Sequence, residues 1–285
     1  MFRVELNKNS MRSIILGLMT IASLNAMAQL PEIDWEELGK TEPWKITELY
    51  KEVPTVTPGK GTGAPSDATV LFGGNDLNMW QKAQFGSPVN MEGFEAMIPL
   101  VDPNFKGEAA EWTVKNGELE VKPGTGSIAT KKAFGDVQLH IEWLAPVMPA
   151  DKKGQAGGNS GVIFMGMYEV QVLNSYENPT YNNGQAASIY KQHIPLANAS
   201  KAPENWQEYD IIFMAPKFSE KGTLVSPARV TVFHNGVLVQ NNVELLGPTC
   251  FIGTPYYIAH PEKLPLVLQD HSDKMRFKNI WVREL

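Results

Sequence analysis

On Tyr168-Glu169-Val170-Gln171-Val172 the residue types alternate, which puts Glu169 and Gln171 on one face of an extended strand and the apolar residues on the other. A carboxylate beside a primary amide can move a proton and orient a hydroxyl-rich molecule, because each sugar hydroxyl both donates and accepts. Residues 137–143 alternate in the same way and carry Gln138, His140 and Glu142 on their polar face. If the polar faces share one concave side, Glu142 and Glu169 converge in a groove. If they do not, each is a solvated outer face of the kind antiparallel sheets commonly show. Asp270-His271 closes a third apolar run, where His271 is a candidate proton carrier and Asp270 its orienting carboxylate, provided the chain bends between them.

The glycine-rich stretch Gly157-Gly158-Asn159-Ser160-Gly161 excludes two chemistries. Val162 follows Gly161 where a phosphate-binding loop needs lysine and then Ser/Thr. A nucleophile elbow around Ser160 needs glycine at position 162 as well as 158, so no serine hydrolase follows. The stretch reads as a tight turn entering a buried strand, with Asn159 and Ser160 either at a cleft rim or purely structural. Tyr190 and Trp206 are the aromatics placed to stack on a sugar ring. His193 is a second histidine candidate, while His140, His234 and His260 read as structural or surface residues. No His-Glu-x-x-His, EF-hand loop or tight His/Asp cluster occurs, so no cofactor is expected and no metal ligands can be named.

The elements that must position these residues are strands. Short period-two runs bounded by Gly, Pro and Asn recur from residue 67 onward, with strands expected at 69–72, 95–98, 137–143, 161–164, 168–173, 208–214, 264–268 and 275–284. Asn116-Gly117 and Asn235-Gly236 each sit between two such runs and mark hairpins. Ten or so strands almost without helical periodicity make an all-β sandwich or barrel of roughly 200 residues. The first strand near Leu71 and the last at 280–282 are expected to lie close together.

The 285 residues, 43% hydrophobic and 20% charged, describe a folded chain with material for a sizeable core. Residues 1–28 read as a secretory signal peptide: basic Arg3, Lys8 and Arg12, an apolar run at 14–24, then Ala26-Met27-Ala28. The run is shorter than the ~20 residues of a membrane span. Cleavage after Ala28 removes three basic residues and one acidic, taking the net charge from -6 to -8. That balance, without a Lys/Arg cluster, argues against nucleic acid as a partner. Cys250 is the lone cysteine, which excludes an intrachain disulfide and fits a bacterial periplasmic or secreted protein. Residues 29–66, with five prolines, form a leader before a domain at 67–285. Nothing in the composition specifies an oligomeric state.

Several stretches together resemble the 3-keto-disaccharide hydrolase domain family. They are Val70-Leu71-Phe72-Gly73-Gly74-Asn75-Asp76-Leu77 with Trp80, the Gly135-to-Trp143 run, Gly158-Asn159-Ser160-Gly161-Val162, and Tyr168-Glu169-Val170-Gln171-Val172-Leu173-Asn174-Ser175. Trp206 with Tyr209-Asp210, Gln269-Asp270-His271 and Arg276-Phe277-Lys278-Asn279-Ile280-Trp281-Val282 complete the set. The resemblance implies a concanavalin A-like jelly roll of two antiparallel sheets, export in Bacteroidetes-like bacteria, and action on glycosides already oxidised to a ketone at C3. It also implies a cleft lined by Glu142, Glu169, Gln171, Asn159 and His271, with His271 or Glu169 as the base. This sequence carries Asn174 where the family pattern favours aspartate and Leu144 where it favours arginine.

The expected function is an exported enzyme with a carbohydrate substrate, cleaving 3-keto-glycosides by C2 proton abstraction, elimination and hydration. The alternatives are a non-catalytic carbohydrate-binding jelly roll, since such folds host lectins as well as enzymes, and an interaction protein docked through the Pro-rich leader.

Overall fold

Asn116 and Gly117 stand at φ 55° and 80°, and Asn235 and Gly236 at 52° and 78°. This is the left-handed pair that a two-residue type I′ turn requires. In the computed structural model, which describes residues 48–49, 51–83 and 107–285, these turns close two antiparallel hairpins. The chain divides into two units, Met1–Thr55 and Val56–Leu285. The few described residues of the first form no helix or strand, and the described strands all belong to the second. The expected signal peptide, much of the leader and the strand expected at 95–98 lie outside the described residues.

The larger sheet runs β13 (Val237–Glu244), β12 (Arg229–His234), β9 (Gln207–Met214), β6 (Val137–Leu144), β15 (Arg276–Glu284), β4 (Glu118–Glu120) and β3 (Thr113–Lys115). β1 (Thr69–Phe72) pairs with β15 as well, Thr69 opposite Val282, so the first and last strands do meet. The smaller sheet runs β2 (Trp80–Lys82), β5 (Ile128–Phe134), β14 (Leu264–Leu268), β7 (Asn159–Phe164) and β8 (Tyr168–Leu173). A two-stranded ribbon, β10 (Lys217–Phe218) with β11 (Leu224–Ser226), stands apart. All described pairings are antiparallel, and the architecture is a two-sheet jelly-roll sandwich.

Alternation decides what each sheet buries. β6 turns Leu139, Ile141 and Trp143 inward, β9 turns Tyr209, Ile211 and Phe213 inward, and β7 and β8 answer with Val162, Phe164, Tyr168, Val170 and Val172. Phe213 ties the layers together, its ring stacked on Phe164 at 4.6 Å and tilted against Tyr168 at 5.7 Å. The residues between these inward ones must therefore point away from the core, on two outer faces separated by its full thickness. Among the described residues no helix is long and apolar enough to cross a membrane.

Candidate active site on the outer face of the smaller sheet

The outer face of the smaller sheet is built row by row from the strand register. Gln81, Ala129, Val267, Ile163 and Glu169 lie in line across its five strands. Ala129, Ile163 and Val267 form a small buried apolar floor, with Ala83 packed against it. At the end of that row Glu169 is almost fully buried. Its side chain reaches diagonally over Gly161, where a Cβ would come within 2.6 Å of Oε1 and 3.1 Å of Cγ. Glycine is needed at 161 for space, since the carboxylate occupies the volume a side chain would fill.

Four side-chain amides, those of Gln171, Asn159, Gln155 and Gln269, lie around this end of the sheet. Gly161 pairs with Gln171 on one side, and on the other its carbonyl accepts the Gln269 backbone N–H at 3.1 Å. Gln171 is 1% exposed, and its Nε2 donates to Asn159 Oδ1 at 3.2 Å and to Gln155 Oε1 at 3.1 Å. Asn159 Nδ2 in turn donates to the Gln155 carbonyl at 2.8 Å. Both Gln171 donors are thereby held inside the protein, so the amide oxygen of Gln171 is the atom presented outward. Gln269 Oε1 is buried without a partner among the described residues. An unpaired buried acceptor costs about 1–3 kcal/mol, and a ligand hydroxyl would relieve that cost.

Asp273 and a free strand edge hold this arrangement. The Asn159 backbone N–H donates to Asp273 Oδ2 at 3.0 Å, and Lys152 Nζ reaches the other oxygen at 3.3 Å. β8 ends the sheet, and an edge strand normally needs a cover. Residues 187–190 supply it: Ala187 N donates to the Gln171 carbonyl at 2.9 Å, Gln171 N to Ser188 at 3.0 Å, and Tyr190 N to the Glu169 carbonyl at 3.2 Å. That cover sets Tyr190 beside Glu169. Its phenol hydrogen-bonds Tyr181 Oη at 2.7 Å.

The electrostatics follow from burial. Desolvation pushes the Glu169 carboxyl up to about 8, and among the described residues no cation or hydrogen-bond donor opposes it. Burial, the hydrogen bond and charge of Tyr181, and the Glu169 charge raise Tyr190 well above the ordinary phenol range, so it stays protonated. The site thus holds a carboxyl poised near neutral pH, a neutral O–H donor beside it and oriented amides around it.

Not every residue singled out in the sequence arrives here. Glu142 does not, because strand alternation puts it with His140 on the outer face of the larger sheet, across the core from Glu169. There it accepts hydrogen bonds from Thr62 Oγ1 (3.1 Å) and Asn279 Nδ2 (2.9 Å) and pairs with Lys278 Nζ at 3.2 Å. Burial works to raise its carboxyl, but Asn279, Lys278 and Thr62 outweigh that and hold it below its usual value. His140 beside it bonds Asp210 Oδ1 through Nδ1 at 2.7 Å and stacks on Trp281. Trp206 shares that remote neighbourhood, with Lys278 Nζ 4.2 Å over its ring.

Ser160 points to the core side, and its hydroxyl is spent on the Gln269 carbonyl at 2.7 Å. Asn174 caps the turn after β8, its Oδ1 accepting Tyr176 N at 3.3 Å. Asp270 does not orient His271. Its carboxylate accepts the backbone N–H groups of Gly124 (2.9 Å), Gly126 (3.0 Å) and Ser272 (2.9 Å), which ties the 122–126 turn to the end of β14. His271 is exposed on the turn that follows. His193 bonds the Glu244 carbonyl at 2.7 Å, away from the amide cluster. The structure therefore groups Glu169, Gln171, Asn159 and Tyr190, and adds Gln155, Gln269, Tyr181 and Gly161. No group of three or more His, Cys, Asp or Glu suited to a metal ion occurs among the described residues.

The jelly-roll sandwich bears a buried carboxylate among amides on a face floored with small apolar residues, and the family and the similar structure it matches are carbohydrate-related. Residues 67–283 match the model of the 3-keto-alpha-glucoside-1,2-lyase-like domain, and the chain belongs to that family. A crystal structure from Parabacteroides distasonis ATCC 8503, of a protein provisionally named a glycosyl hydrolase, is similar at 45% identity and a TM-score of 0.72. That likeness covers 85% of this chain and 96% of the other. A second structure from the same organism, provisionally named likewise, is 17% identical with a TM-score of 0.48, covering 77% of this chain and 94% of the other. No curated protein matches the chain.

Proposed function

We propose that the protein cleaves the glycosidic bond of 3-keto-glycosides by elimination, with Glu169 as the base that removes the C2 proton. The observation that carries this reading is the placement of Glu169 over Gly161, with burial lifting its carboxyl to about 8. A ketone at C3 acidifies the C2 proton, so a carboxylate with raised basicity can take it. The C1–O bond then breaks, an enone forms, and the departing oxygen receives a proton. Water adding across the enone completes a net hydrolysis.

A base is most effective when its pKa lies near the working pH, and such catalysis is typically worth 10²–10⁴-fold. The uncharged Tyr190 is the donor for the oxygen that gains charge, and Gln171 Oε1 and Gln269 Oε1 accept from sugar hydroxyls. His271, exposed and outside the amide network, is not assigned the base. The family membership and the similar protein provisionally named a glycosyl hydrolase support a sugar substrate. The signal-like residues 1–28 support action in the periplasm or outside the cell.

The test uses a 3-keto-glucoside and its unoxidised parent with the purified protein and with Glu169→Gln. Aglycone release from the ketone alone, lost in the variant, is expected. Equal cleavage of the parent, or full activity in Glu169→Gln, would overturn the assignment.

A further inference from the structure

Lys191 carries an ammonium group walled by three aromatic rings, 4.0 Å from the centroid of Tyr181, 5.4 Å from Phe251 and 5.9 Å from Tyr190. Among the described residues no carboxylate lies within 4.0 Å of it. Its backbone is held at φ 63°, a left-handed conformation that lysine rarely adopts, by a hydrogen bond from its N–H to the Asn183 carbonyl at 2.8 Å. Such backbone strain in a non-glycine residue gathers at sites where the geometry is used. The Tyr181–Tyr190 hydrogen bond fixes two of the walls. Phe251 is 57% exposed and its neighbour Ile252 53% exposed, an apolar ledge at the open side.

The cage adjoins the base through one of its walls, Tyr190. Tyr190 is the residue before Lys191, its N–H is bonded to Glu169, and its phenol lies within the electrostatic reach of the Glu169 carboxylate. A sugar seated over Gly161 with its C2 facing Glu169 would have the ring cage immediately beyond the carboxylate. Aromatic faces and an exposed phenyl ledge favour a flat apolar group. A cation without an anionic partner at the same rim favours a negative charge on that group.

We propose that Tyr181, Tyr190, Phe251 and Lys191 form the aglycone subsite, and that it takes an aromatic aglycone bearing a carboxylate. This rests on the elimination reading above. The aromatic ring lies against Phe251 and Tyr181, and its carboxylate meets the Lys191 ammonium.

The experiment compares two 3-keto-glucosides of matched shape, 4-carboxyphenyl and 4-carbamoylphenyl, with a methyl 3-keto-glucoside as a third. Wild-type protein should favour the carboxylate over the carboxamide about tenfold in kcat/KM, equivalent to about 1.4 kcal/mol, mostly through KM. Lys191→Met should bring that ratio to within about twofold, and Lys191→Arg should restore most of it, which separates lost charge from lost folding. Phe251→Ala should raise KM for both aryl substrates severalfold more than for the methyl compound. Equal kcat/KM for carboxylate and carboxamide in the wild type, or a preference that survives Lys191→Met, would overturn the subsite. If no 3-keto-glucoside turns over, the elimination reading fails, and ligand-observed NMR with 4-hydroxybenzoate decides the subsite separately. Binding to wild type that is lost in Lys191→Met supports it, and no binding to the wild type refutes it.

Discussion

Replacing Glu169 by glutamine should remove activity and stabilise the protein, and the size of the second effect follows from the site. Burial lifts the carboxyl from its ordinary 4.5 to about 8. The folded state therefore resists ionisation that the unfolded chain undergoes freely above pH 4.5. In sign, the raised folded value means that the neutral form is favoured on folding. The protein bears no penalty at pH 4, a growing one as pH rises from 4.5, and the full penalty above 8. At 1.36 kcal/mol per pH unit, the cost at pH 7 is about 3 kcal/mol, and above pH 8 it approaches about 5 kcal/mol as an upper bound. Glu169→Gln keeps the shape of the neutral acid and cannot ionise. Urea denaturation at pH 4.5, 6, 7 and 8 should show the variant level with wild type at the lowest pH and increasingly more stable above it, with an unchanged m-value. A stability difference that stays flat across this range, or a variant less stable at pH 8 than at pH 4.5 relative to wild type, would refute the claim that the carboxyl is buried and unpaired.

Gly161→Ala tests the diagonal reach of the base. Its Cβ would stand about 0.8 Å inside ordinary 3.4 Å contact with the Glu169 carboxylate. The end of that side chain can move aside, so the fold should survive in circular dichroism while kcat falls about a hundredfold, the scale of a 1 Å misplacement. Asp273→Ala strips the buried Asn159 N–H of its acceptor. A loss of about 1–3 kcal/mol is expected, read as a lower Tm of about 2–4 °C per kcal/mol, together with a raised KM as Asn159 loosens. N-terminal sequencing of protein exported from a bacterial host should begin at Gln29, and an intact Met1 or Met11 would refute the signal-peptide reading.

The parts of this arrangement governed by local chemistry are legible in the residues. Asn-Gly pairs demand positive φ, so both hairpins can be read directly. Alternation at 168–172 puts Glu169 and Gln171 together because adjacent strand side chains must part. What fails is the step from one polar face to a particular face of the sandwich. Glu142 and Glu169 both alternate against apolar neighbours, and alternation separates inside from outside without saying which sheet's outside. Gln155 and Gln269 escape notice for a related reason: a short 3-10 turn over Gly154–Ala156 and the end of β14 bring them in through register. Gly161 looks like a turn glycine until pairing puts it beneath a carboxylate eight positions away. β5 hides because its Thr-Lys-Lys interior breaks the period-two pattern, with buried ends and an exposed middle. The Asp270-His271 pairing suggests an oriented histidine, but short acidic side chains in turns readily capture backbone N–H groups, and three of them take the Asp270 carboxylate.

The most direct measurement of the central claim is kcat/KM for a 3-keto-glucoside from pH 5 to 10. If the buried Glu169 carboxylate takes the C2 proton, only about a tenth of it is ionised at pH 7, and the rate climbs tenfold per unit toward a plateau above an inflection near 8. Glu169→Gln abolishes that climb. A rate already level from pH 5 upward, as an ordinary carboxylate would give, or an inflection near the ordinary imidazole value of 6.5, would contradict the account. So would a pH-dependent rate that Glu169→Gln leaves intact.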